Sequence, residues 1–132
     1  MFFPRISCCC LSSYVKKNLL SWLRQRRDEG YHIVGLEQTS SSESLLDYQF
    51  SPAATFLSGR NDSNNRNTGG TVLLLGKEKE GIPIEYLQMV DQCIEIPQYG
   101  IIRSLNVHVS GAIAIWEYTK QQKLKNATNE MH

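Results

Sequence analysis

The chain has 132 residues, 41% hydrophobic and 20% charged, enough for one soluble α/β domain with a core of its own. Lysine and arginine (14) balance aspartate and glutamate (13) at a net charge of +1, so total charge does not point to a nucleic-acid partner. No apolar run reaches the length of about 18 residues that a membrane-spanning helix needs.

Residues 1–12, MFFPRISCCCLS, read as a disordered leader, with an apolar part too short for a secretory signal. Cys8, Cys9 and Cys10 are consecutive and Cys93 stands in a strand pattern. That spacing suits neither a disulfide framework nor a zinc site, so no metal is expected and a reducing cytoplasmic or nuclear compartment fits best. Val15, Leu19, Trp22 and Leu23 recur at helical spacing, which predicts an amphipathic helix over Ser13–Glu29, stopped by Gly30. Its Lys16, Lys17, Arg24, Arg26 and Arg27 suit a phosphate-holding face and a plain solvated face equally well.

Tyr31–Leu36 is expected to be a buried strand, with Gly35 marking a close backbone approach. Glu37–Ser44 reads as a polar loop and Leu45–Tyr48 as at most a short helical turn. Residues 57–70 are almost wholly Ser, Gly, Asn and Arg at their core and read as a flexible insertion, with Arg60 and Arg66 as the argument for an RNA-contacting loop. Thr71–Leu75 is continuously apolar, as a strand covered on both faces should be. Pro83 opens a short helix over Ile84–Asp91, and Gln92–Ile96 is the next strand. A last helix is predicted from Leu105 to Gln122, apolar over more than one stripe and so in need of a partner surface besides the sheet. Residues 123–132 read as a frayed tail.

Chemistry is expected where two strands end. Leu73–Leu75 runs into Gly76-Lys77-Glu78-Lys79-Glu80-Gly81, and Ile94–Ile96 runs into a second polar turn that reaches Ser104-Leu105-Asn106. Two such loops at the carboxyl edge of a parallel sheet make a place for a small ligand. The first loop holds a lysine but lacks the GxxxxGK[ST] pattern that cradles phosphates.

The segments GKEKEGIP and IPQYGIIRSLNVHVSGAIAIWEY resemble motifs 2 and 3 of the SpoU (TrmH-like) branch of the SPOUT RNA methyltransferases, and the likeness extends over Val15–Gln122. The resemblance implies an α/β fold with a C-terminal trefoil knot, a homodimer built around the knot and last helix, S-adenosylmethionine as cofactor and an RNA substrate, most nearly tRNA. Carried over by position, Leu75, Gly76, Glu78, Gly81, Ile96 and Leu105 would contact the cofactor, Ser104 and Asn106 would serve catalysis, and Arg103 would meet RNA phosphate. On the residues alone, Ser104 equally suits the N-cap of the last helix, Glu78 a structural hydrogen bond and Arg103 an exposed salt bridge. His108 lies past the loop, on the helix, and is not assigned a role as base.

The family's motif 1, an Asn…Arg segment in the first βα units, has no counterpart here, and the helix arginines stand in the wrong context to replace it. The chain therefore reads as the cofactor-binding half of a ribose 2′-O-methyltransferase domain. The alternative is a truncated paralogue that holds cofactor or a dimer partner without methyl transfer.

Overall fold

The computed structural model describes residues 6–10, 18–50, 70–77, 79–101 and 105–131. In chain order the elements are β1 (Ile6–Cys10), α1 (Leu19–Asp28), β2 (His32–Leu36), β3 (Glu43–Ser44), β4 (Thr71–Leu75), α2 (Ile84–Leu87), β5 (Gln92–Glu95) and α3 (Val107–Glu130). The strands form one sheet in the order β1-β4-β2-β5-β3, and every pairing is parallel.

Alternation along β4 explains the layers. All five of its residues are buried, and successive side chains point to opposite faces. Val72 and Leu74 join Ile33 under Leu19 and Leu23 of α1, with Ile82 and Tyr86 beside them. Leu73 and Leu75 join Val34 and Ile94 on the other face, against Ala114 and Tyr118 of α3 and the side chains of Leu45, Tyr48 and Phe50. A strand covered on both sides needs no polar alternation, so its boundaries coincide with the apolar run in the sequence. Gly35 behaves as expected: a Cβ there would stand 3.2 Å from Ile82 Cδ1 and 3.3 Å from Val90.

Helix α1 ends in a Schellman-type turn. Gly30, at φ 88°, donates to Arg27 O, and Tyr31 N donates to Arg26 O. Asp91 then ties helix to sheet, accepting from Arg27 Nη2 at 2.9 Å and from Ile33 N at 2.7 Å. That tie also explains why α2 stops at Leu87 rather than at Asp91. The chain must turn through Gln88–Val90 to bring Asp91 back to the start of β2.

Three further differences from the sequence expectation have physical causes. Residues 6–10, assigned above to a structureless leader, form edge strand β1 beside β4, with Ile6 opposite Thr71 and Cys10 opposite Leu75. The two-residue strand β3 pairs with the end of β5 and is too short to leave any periodicity. Residues 123–130, read as frayed, continue α3 in one 24-residue helix. Residues 123–132 contain neither Gly nor Pro, and tertiary contacts hold the helix. Gln121 Nε2 donates to Tyr48 O and Gln121 Oε1 accepts from Phe50 N, both at 2.9 Å, while Lys125 Nζ donates to Phe50 O. The insertion 57–70 lies, apart from Gly70, outside the described residues, as does the expected first turn of α1 at residues 13–17.

The Gln121 clasp carries a testable energy. Gln121→Ala would leave a buried carbonyl and a buried N–H without their partner, at a cost of about 2–3 kcal/mol. Urea unfolding is expected to show a midpoint lowered accordingly. A midpoint equal to that of the parent chain would mean that water reaches both backbone groups.

Candidate cofactor site

Strands β4, β2 and β5 lie side by side and run the same way, so their carboxyl ends open onto one edge of the sheet. A cleft of about 730 Å³, its open mouth included, occupies that edge. Leu36, Glu37 and Gln38 enter it from the end of β2, Leu75, Gly76, Lys77 and Gly81 from β4 and its loop. Glu95, Ile96 and Gln98 line it from β5, and Leu105, Val107 and Ser110 close it from the start of α3. This is where an open α/β sheet receives ligands, because helices cover its faces and the strand ends are left between loops.

The loop after β4 is folded tightly on itself. Lys77 N donates to Gly81 O at 3.1 Å and Gly81 N to Lys77 O at 3.0 Å. A Cβ on Gly76 would come within 2.5 Å of Gly81 C and 2.8 Å of Gly81 Cα, so only glycine admits this closure. Gly81 has φ +67°, a left-handed conformation that itself favours glycine. On the loop's far side stands Glu37, whose Oε2 accepts from Ile82 N at 2.7 Å. Lys77 pairs within the loop, 3.3 Å from Glu80.

Across the cleft, α3 seats closely on β4: a Cβ on Gly111 would lie 2.8 Å from Leu75 Cδ1. Asn106 is the N-cap of α3, its Oδ1 accepting from His108 N at 2.9 Å. The helix therefore begins two residues later than the sequence suggested, and Asn106 caps it. His108 is exposed and is not among the lining residues. Burial pushes the Cys93 thiol on β5 up, the Glu37 carboxylate adds to that, and a hydrogen bond with Thr39 opposes it.

Of the residues singled out in the sequence, Leu75, Gly76, Gly81, Ile96 and Leu105 are brought together in this cleft. Asn106 is not one of its lining residues, and Glu78, Arg103 and Ser104 lie outside the described residues. Leu36, Glu37, Gln38, Lys77, Glu95, Gln98, Val107 and Ser110 line the cleft without having been singled out. Three of them follow or end β2, and the position of that strand end was the available signal: a parallel strand next to two site-forming strands contributes its own carboxyl end. Among the described residues no cluster of His, Cys, Asp and Glu is arranged to hold a metal, and no helix is long and apolar enough to cross a membrane.

Comparison with known proteins agrees with this geometry. The chain is 48% identical over 106 residues to the mouse tRNA (guanosine(18)-2′-O)-methyltransferase TARBP1, a match covering 80% of this chain and 6% of that much longer protein. It is similar in structure, with a TM-score of 0.62 and 26% identity, to the Aquifex aeolicus TrmH/SpoU tRNA modifying enzyme, over 81% of this chain and 46% of that one. An AdoMet-bound rRNA methyltransferase from Sinorhizobium meliloti shares the fold at a TM-score of 0.56 and 23% identity, over 74% of this chain and 31% of that one. The chain thus spans only a small part of its curated mouse relative. The family model described as the SpoU rRNA methylase family matches residues 10–116, and the chain belongs to that family.

Proposed function

We propose that this chain holds S-adenosylmethionine for the 2′-O-methylation of a ribose in RNA, most nearly tRNA. The observation that carries the proposal is the meeting of Leu75, Gly76, Gly81, Ile96 and Leu105 in a single cleft at the strand ends of a SpoU-family sheet. The mouse relative is named as a tRNA ribose methyltransferase and the S. meliloti neighbour holds AdoMet, and both support the same chemistry.

The residues present fit the cofactor. Gly76 and Gly81 close the loop tightly on itself, and both line the cleft. Leu75, Ile96 and Leu105 offer apolar surface to a flat purine, and Glu95 carries charge opposite to a sulfonium or an ammonium. When bound, S-adenosylmethionine supplies an activated methyl group for transfer to a ribose 2′-hydroxyl. The chain's own part is to hold the cofactor by loop backbone and apolar walls, with Glu78 adding a carboxylate from the same loop. Ser104 and Asn106 are proposed as polar groups on the substrate side, and Arg103 as a contact for RNA phosphate. A C-terminal knot, a homodimer through α3 and a cytoplasmic or nuclear site of action belong to the same proposal.

Calorimetric titration with S-adenosylhomocysteine tests the cofactor reading. Binding with a Kd on the order of micromolar, about 8 kcal/mol, is expected. A folded sample that takes up no S-adenosylhomocysteine at millimolar concentration would overturn it.

A further inference from the structure

We propose that Glu37 is a positioning residue that latches the glycine loop into its ligand-holding shape; as a statement about the cofactor, this rests on the reading above. Two features make Glu37 unlike the other polar residues at the cleft. Its backbone is fixed in the sheet, with its N–H donating to Ile94 O at 3.0 Å, between the strands that carry the two site loops. Its carboxylate leaves that position sideways and meets the loop after β4, taking the Ile82 N–H at 2.7 Å.

The latch ties the loop to the sheet from the β2 side. Within the loop, Lys77 and Gly81 bond each other, and the Lys77 ammonium pairs with Glu80. Those contacts fix the turn internally but do not attach it to the sheet. The Ile82 side chain is buried beside α2, and its N–H must find an acceptor or remain desolvated and unpaired. Glu37 supplies that acceptor, and a carboxylate makes the bond short and strong. Its second oxygen lies over Gly81, where a Cβ would stand 2.3 Å away. Gly81 is therefore pressed between Gly76 and Glu37, and the loop's distance from β5 across the cleft is set by the reach of one glutamate side chain.

The test uses three variants and two readouts. Glu37→Gln keeps an oxygen acceptor at full length, Glu37→Asp keeps the charge but withdraws it by one methylene, and Glu37→Ala removes both. S-adenosylhomocysteine affinity and hydrogen exchange of the Ile82 amide are measured for each. Glu37→Ala and Glu37→Asp are expected to weaken binding by ~10-fold and to speed Ile82 exchange by ~10-fold, the loss of one charge-assisted hydrogen bond. Glu37→Gln is expected to restore both to within a few-fold of the parent chain. Should the alanine variant fail to fold, the aspartate and glutamine pair decides alone. Parent-like Ile82 protection in Glu37→Asp would overturn the latch. So would a glutamine variant that protects Ile82 fully yet binds as poorly as the aspartate one, because the loop's position would then not set the affinity. If the parent chain takes up no ligand, the cofactor reading fails, while Ile82 exchange still tests the latch separately.

Discussion

Gly76→Ala is expected to weaken S-adenosylhomocysteine binding severely and to lower stability at the same time. The added methyl would lie 2.5 Å from Gly81 C, 2.8 Å from Gly81 Cα and 2.8 Å from Ile82 N. All three are backbone atoms of one closed turn, so no side chain can swing aside to make room. Either β4 withdraws, against a neighbourhood in which every one of its residues is buried, or the Lys77–Gly81 hydrogen bonds open. Overpacking of this kind costs about 1–3 kcal/mol, and the displaced loop is one wall of the cleft. A loss of at least ~100-fold in affinity is expected from calorimetry, equivalent to about 2.7 kcal/mol. Gly100→Ala is the contrasting variant: its Cβ would meet nothing within 4 Å, and its thermal midpoint should equal the parent's. An alanine at position 76 that binds within threefold of the parent would show that the loop wall is not what holds the ligand.

Trp116→Glu is expected to convert the proposed homodimer into a monomer. On α3, Gly111, Ala114 and Tyr118 face the sheet, but Val109 (49% exposed), Ile113 (38%) and Trp116 (70%) lie four and then three residues apart on another face. Leu124 continues that stripe at 61% exposure. An apolar stripe along a helix otherwise anchored to its own sheet is the surface that the proposed homodimer would cover. A charge at its largest side chain should weaken association by ~100-fold or more, as loss of a buried aromatic anchor does. Sedimentation equilibrium would show the parent at twice its 15.0 kDa chain mass and the variant at the chain mass. A parent chain that sediments as a monomer at tens of micromolar would sink the dimer proposal.

Legibility in the sequence followed burial. Thr71–Leu75 is covered on both faces, and its continuous apolar run gave both strand boundaries. The glycines at 76 and 81 were legible as a turn, and the ends of β4 and β5 placed Leu75 and Ile96 at its side. What escaped depends on contacts far along the chain. Residues 6–10 have no alternation, and they become a strand only because β4, about half the chain away, offers an edge. The end of α3 looked like a polar tail because the acceptors for Gln121 and Lys125 are backbone atoms at Tyr48 and Phe50. Glu37 looked like the first residue of a polar loop, since nothing local distinguishes a solvated carboxylate from one that reaches Ile82.

The strand order has a consequence for how this chain reaches its native state. Among the described residues no two strands consecutive in sequence are hydrogen-bonded to each other: Ile6 meets Thr71, His32 also meets Thr71, Val34 meets Gln92 and Glu43 meets Ile94. No hairpin between these strands can therefore form early and template the rest, and each ladder requires closure of a long loop before any bond rewards it. During synthesis β1, β2 and β3 would leave the ribosome without partners and wait for β4 and β5. Folding should accordingly be slow for a chain of this size, with the helices forming ahead of the sheet and the ligand cleft completed last.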